Sequence, residues 1–159
     1  MLKELITPAK SLPVVKKFSG DKDRLGSLLK NSAWNDSALP DLVILGITDD
    51  RFTSSTSYSD SPDAIREQLY QLNGFSSPFR IVDLGNIKSG KEFSDTVAAV
   101  RMVAEEIHSL GIPILILGGN QSFTIPLLAG IDKMKPFYLL WTIASTIFLK
   151  KTPRLTMYF

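Results

Sequence analysis

Asp49 and Asp50 follow one apolar run after Thr48, and Asn120, Gln121 and Ser122 follow another through the turn Gly118-Gly119. Carboxylates can hold a cation or move a proton, while carboxamides and a hydroxyl offer neutral oxygen donors and N–H groups to a polar ligand. In parallel α/β sheets ligands collect at the carboxyl ends of strands, where backbone N–H groups and helix N-termini converge. Both clusters fit that edge if the runs before them are strands.

The surrounding sequence supports this. Asp41 to Ile47 is continuous and β-branched, the pattern of a strand covered on both faces, and Ile112 to Leu117 is a second unbroken apolar run, read as a strand that leads through the Gly-Gly turn into a helix-like segment ending at Leu128. Phe79 to Leu84 reads as a strand closed by Gly85. Between these, Ser61 and Pro62 suit a helix start, with Ala64, Ile65, Leu69 and Leu72 expected on the buried face. Glu92 to Leu110 is the longest predicted helix, with Val97, Val100, Ala104 and Ile107 at helical spacing and Gly111 ending it. A short helix is expected over Asp21 to Lys30, turns over Asn31 to Pro40, and an irregular loop over the Ser/Thr-rich Thr48 to Ser61. Strands alternating with helices across short connections imply a parallel sheet with right-handed crossovers.

Composition removes several functions. With 159 residues the chain can form one domain with a real core, about half of a large α/β enzyme. A net charge of +2, spread along the sequence, argues against a nucleic-acid partner. No cysteine is present, so disulfides, thiolate metal sites and a cysteine nucleophile are excluded, and the cytoplasm is the expected location. Met1 to Lys17 lacks the unbroken apolar core of a signal peptide.

The order Leu-Gly-Ile-x-Asp-Asp (45 to 50), Ser-Pro-Asp-Ala-Ile-Arg (61 to 66), Asp-Leu-Gly (83 to 85) and Gly-Gly-Asn-Gln-Ser (118 to 122) resembles the ureohydrolases: arginase, agmatinase and formimidoylglutamase. The resemblance covers roughly Asp41 to Lys135, and its most specific part is the Gly-Gly loop. It implies a three-layer α/β/α sandwich with a mainly parallel sheet, here truncated to its N-terminal half. It further implies a binuclear manganese site at the carboxyl edge that generates hydroxide to attack a small-molecule guanidine or amidine.

In that family the loop reads Gly-Gly-Asp-His-Ser, and its histidine is a metal ligand. Gln121 stands at that position, and a carboxamide is a weaker donor than an imidazole. Asn120 replaces the family's aspartate and removes a negative charge beside the metals. Ser122, Asp49 and Asp50 remain as substrate-lining or outer residues. Neither the family's Asp-x-His-x-Asp nor its later Asp-x-Asp motif occurs. The sole histidine, His108, falls on the expected polar face of the long helix. No catalytic residue is therefore assigned, and manganese binding is expected to be weak or absent.

Residues 1–40 are read as an N-terminal extension, 41–136 as the partial ureohydrolase-like domain, and 137–159 as an atypical tail. In the tail, Phe137 to Leu149 is apolar with Lys150 and Lys151 behind it. Thirteen residues fall short of the roughly 20 that span a bilayer, so no membrane association is expected. Under the standard code, reading across Trp141 and Thr142 one frame on encodes aspartate, and the neighbouring codons permit Val-Asp-x-Arg-Ile-Asp. The tail is thus expected to follow a frameshift near Phe137 to Leu140. Three functions are carried forward: a ureohydrolase-like hydrolase inactive in this chain, a non-catalytic homologue acting as an interaction protein, and a small anion-binding α/β domain. Homo-oligomerisation is left open.

Overall fold

The computed structural model of the chain describes residues 2–9, 24–29, 38–51, 59–74 and 78–130. The expected start of the first helix, most of the turn-rich stretch, the centre of the Ser/Thr-rich loop and the whole tail, with its proposed frameshift, lie outside them.

In chain order the elements are α1 (Leu2–Leu5), β1 (Ile6–Thr7), α2 (Leu25–Leu29), β2 (Leu42–Ile47), α3 (Ser61–Leu69), β3 (Ile81–Ile87), α4 (Phe93–Ser109), β4 (Ile114–Gly118) and α5 (Thr124–Ala129). The sheet order is β1-β3-β2-β4, with β2 parallel to both β3 and β4. β1 is antiparallel to β3, so the segment taken as an N-terminal extension supplies an edge strand.

β2 is the centre of the domain. Its alternation sends Val43, Leu45 and Ile47 to one face and Ile44 to the other, and all four are fully buried. The first face meets Ala99, Val100, Val103 and Ile107 of α4 together with Phe123. The second meets Leu25 and Leu29 of α2 and Tyr70 at the end of α3. Apolar surface on both faces requires two covers, and three α/β/α layers result.

β3 carries one extra residue. Ile44 is opposite Asp83 but Leu45 is opposite Gly85, so Leu84 is bulged out. In a regular strand Asp83 and Asn86 would point to opposite faces; the bulge brings both to the α3 side. Gly85 therefore does not close the strand, as its sequence suggested, and pairing continues through Ile87.

α3 departs further from expectation. The face predicted to be buried is mostly the outer one: Ala64 is exposed and Ile65 is 43% exposed, as is Leu72 (57%) just past the helix, while Leu69 is half-buried and packs against the core as expected. Instead Pro62, Asp63 and Arg66 are buried, with Arg66 fully enclosed. The cap also shifts to Asp60, with Pro62 in the first turn. α3 turns its charges inward because β3 presents Asp83 and Asn86 there, which outweighs the apolar stripe on the other side.

α4 follows the sequence closely: Val100, Ala104 and Ile107 are buried, Val97 packs against the core, and a capping box joins Glu92 and Asp95 at its start. His108 is not solvated as expected. It is half-buried, and its Nε2 is enclosed with no hydrogen-bond partner among the described residues.

Candidate functional site

The carboxyl ends of β2, β3 and β4 lie side by side, so the residues after Ile47, Ile87 and Gly118 share one edge. A cavity of about 660 Å³ opens there, lined by Thr48, Asp49, Asp50, Asp60, Asp63 and Asn86 among others. Four aspartates line it, of which Asp49 is ion-paired with Arg51 and Asp63 with Arg66. Of the five side chains singled out in the sequence, Asp49 and Asp50 line this cavity and Asn120, Gln121 and Ser122 do not.

Asp49 is buried at the end of β2 and spent on internal partners. Its carboxylate accepts from Arg51 Nε (3.0 and 3.1 Å), from the Arg51 backbone N–H (3.2 Å) and from the Thr96 hydroxyl (2.7 Å), and it forms a closer contact with Arg51 Nη2. Burial alone would raise its pKa, but hydrogen bonds from Arg51 and Thr96 and the Arg51 charge hold it below the ordinary carboxylate value.

The Gly-Gly turn leaves β4 with positive φ at both Gly118 (70°) and Gly119 (77°), a conformation that side chains with a Cβ rarely adopt. Asn120 follows in extended conformation and its side chain is used at both ends. Its Oδ1 accepts from Ser122 N–H (2.8 Å), capping a short 3-10 turn, and its Nδ2 donates to the Arg51 carbonyl (2.8 Å). Gln121 and Ser122 are exposed, while Phe123 is buried against Phe93 with ring centroids 5.3 Å apart. The loop is thus anchored by Asn120 and Phe123, with Gln121 projecting between them.

Below the cavity lies a polar network that sequence reasoning did not assign. Arg66 Nε donates to Asp83 Oδ2 (2.8 Å) and Nη2 to Asp83 Oδ1 (3.1 Å); Nη1 reaches Asn86 Oδ1 (2.6 Å) and Asp63 Oδ1 (3.2 Å), and Nη2 reaches the Gly85 carbonyl (2.8 Å). Tyr70 donates its hydroxyl to the same Asp83 carboxylate, and its own pKa is pushed up by burial and then by the Asp83 charge. The available signal was an aspartate inside an apolar strand together with Asp63 and Arg66 one turn apart on the preceding helix.

These residues do not fit a binuclear metal site. Among the described residues no group of three His, Cys, Asp or Glu side chains could hold a metal ion. Gln121 offers a neutral oxygen on the surface, Asp49 is already saturated, and His108 lies near the far end of α4. Beyond the described residues, the tail from residue 131 contains one acidic residue, Asp132, and no histidine.

The fold and this edge define a three-layer α/β domain of the kind that gathers ligands above its parallel strands. The arginase family model matches residues 40–144, well over half of the chain, and the chain belongs to that family. Among solved structures it is similar to agmatine ureohydrolase of Thermoplasma volcanium, at 22% identity and a TM-score of 0.53, a likeness of fold. That match covers 60% of this chain and 35% of the neighbour, so the chain spans about a third of its length. No curated protein matches the chain significantly. Among the described residues no helix is long and apolar enough to cross a membrane.

Proposed function

We propose that this chain is a non-catalytic member of the arginase family, which keeps the ligand-edge architecture but does not by itself hydrolyse a guanidine or formimino C–N bond. The observation that carries the reading is the employment of Asn120 as a cap and tie, with Gln121 exposed beside it. At the position where the family's loop carries a metal-binding imidazole with an aspartate beside it, this chain presents an exposed amide and a spent one.

An interaction or binding role is supported by the buried core and by the polar, aspartate-lined cavity at the strand ends. The anion-cradle alternative draws no support from a turn whose Ser122 N–H is already taken by Asn120. The cysteine-free composition suits such a role in a reducing cytoplasm.

The test is to load the purified chain with manganese and assay urea and formamide release from guanidine and formimino compounds, agmatine among them. The reading expects no release above a metal-only control. Turnover that depends on both the chain and manganese would refute it.

A further inference from the structure

Arg51 ends in an unusually complete set of acceptors. Besides the Asp49 carboxylate, its guanidinium meets the Thr96 hydroxyl (2.9 Å) and three successive carbonyls, those of Gly90 (3.3 Å), Lys91 (2.9 Å) and Glu92 (3.2 Å). Its Cζ stands 6.0 Å from the centroid of the Phe93 ring. A carboxylate in fork geometry, a row of carbonyls and an aromatic ring together match the shape, charge and donors of a guanidinium.

The walls are braced without Arg51. The Thr96 hydroxyl donates to Asp49 (2.7 Å) and accepts from the Gly90 N–H (2.9 Å), so Thr96 of α4 joins the loops after β2 and β3. The Asp95 carboxylate accepts from the Glu92 N–H (2.8 Å), which orients the Lys91–Glu92 peptide, and the Asp95 N–H donates to the Glu92 carbonyl (3.1 Å) at the start of α4. Arg51, Asp49 and Gly90 also line the large cavity, and about a third of the Arg51 side chain is exposed, so the receptacle opens to solvent on that side.

We propose that Asp49, Thr96, the carbonyls of residues 90–92 and Phe93 form a guanidinium-binding site that the chain fills with its own Arg51. A free guanidinium or amidinium is excluded while Arg51 is in place and binds once that side chain is removed. The site is preorganised by contacts that do not involve its occupant, which is why a small cation can replace a tethered one.

The test is chemical rescue in the 159-residue chain. Arg51→Ala is melted with and without roughly 10 mM guanidinium, with equimolar urea as the neutral isostere and sodium chloride as the ionic control. Guanidinium is expected to raise the Arg51→Ala midpoint by about 4 °C, leave the wild type unmoved, and lose its effect when Asp49→Asn is added. If Arg51→Ala is unfolded in buffer alone, recovery of its folded circular-dichroism signal on adding guanidinium is the same readout. Equal responses to guanidinium, urea and salt, or an Arg51→Ala chain that guanidinium neither stabilises nor folds, would overturn the proposal.

Discussion

Asn120 Nδ2 donates to the backbone carbonyl of Arg51 at 2.8 Å, across 69 residues of sequence. This bond joins the loop after β4 to the loop after β2, while the Arg51 side chain joins the latter to the loop before α4. Three strand ends are therefore coupled through one residue. Asn120→Ala removes both the cap on Ser122 and the tie to Arg51, and should cost about 1–2 kcal/mol in urea denaturation. Asn120→Asp keeps the cap acceptor but loses the donor, so a cost as large as that of Asn120→Ala would show that the tie dominates.

Arg66→Met should be among the most damaging single changes. It leaves Asp83 and Asp63 buried with their cation gone, for an expected loss of about 3–5 kcal/mol. The double change Arg66→Met with Asp83→Leu should recover part of that loss, because no carboxylate remains uncompensated at the Asp83 position. Chemical denaturation of the two variants beside the wild type measures this.

The outer face of α3 and the turn after it should tolerate polarity. Ile65→Gln and Leu72→Gln are expected within about 0.5 kcal/mol of the wild type, since both residues are exposed. Leu45→Ala at the sheet centre should cost about 2–5 kcal/mol. A large loss from the surface pair would mean that the face is covered.

Asp49 sets an acid limit. Its pKa is depressed in the folded state, so its contribution is fully present above the ordinary value of 3.8 and is lost as pH falls through the lower folded value. Stability measured against pH should show that fall in the wild type, and Asp49→Asn should flatten it. Identical pH profiles for the two proteins would show that Asp49 makes no such contribution.

Much of the scaffold was legible because it follows simple periodicity. The run at 42–47 read as a strand buried on both faces and is one, the run at 114–118 forms the neighbouring strand but is only partly covered, with Leu115 exposed, and Val100, Ala104 and Ile107 spelled out the inner stripe of α4. α3 was misread because local amphipathicity cannot know that β3 will present Asp83 and Asn86. That presentation depends on a bulge at Leu84 created only by pairing with β2. The two-residue strand β1 has no local signature, since its place is set by Ile6 and Thr7 finding the far edge of β3. The Gly-Gly loop was recognisable from its residue order, but the bonds that tie Asn120 to the Arg51 carbonyl and Asp49 to Thr96 are tertiary events.

The central claim is that the 118–122 loop keeps its family's shape without its metal chemistry, and manganese binding at equilibrium tests it most directly. Dialysis of the wild-type chain against micromolar manganese should leave no bound ion above the level of a manganese-free control protein. Stoichiometric retention of manganese by the wild type, lost in Gln121→Ala, would contradict the account.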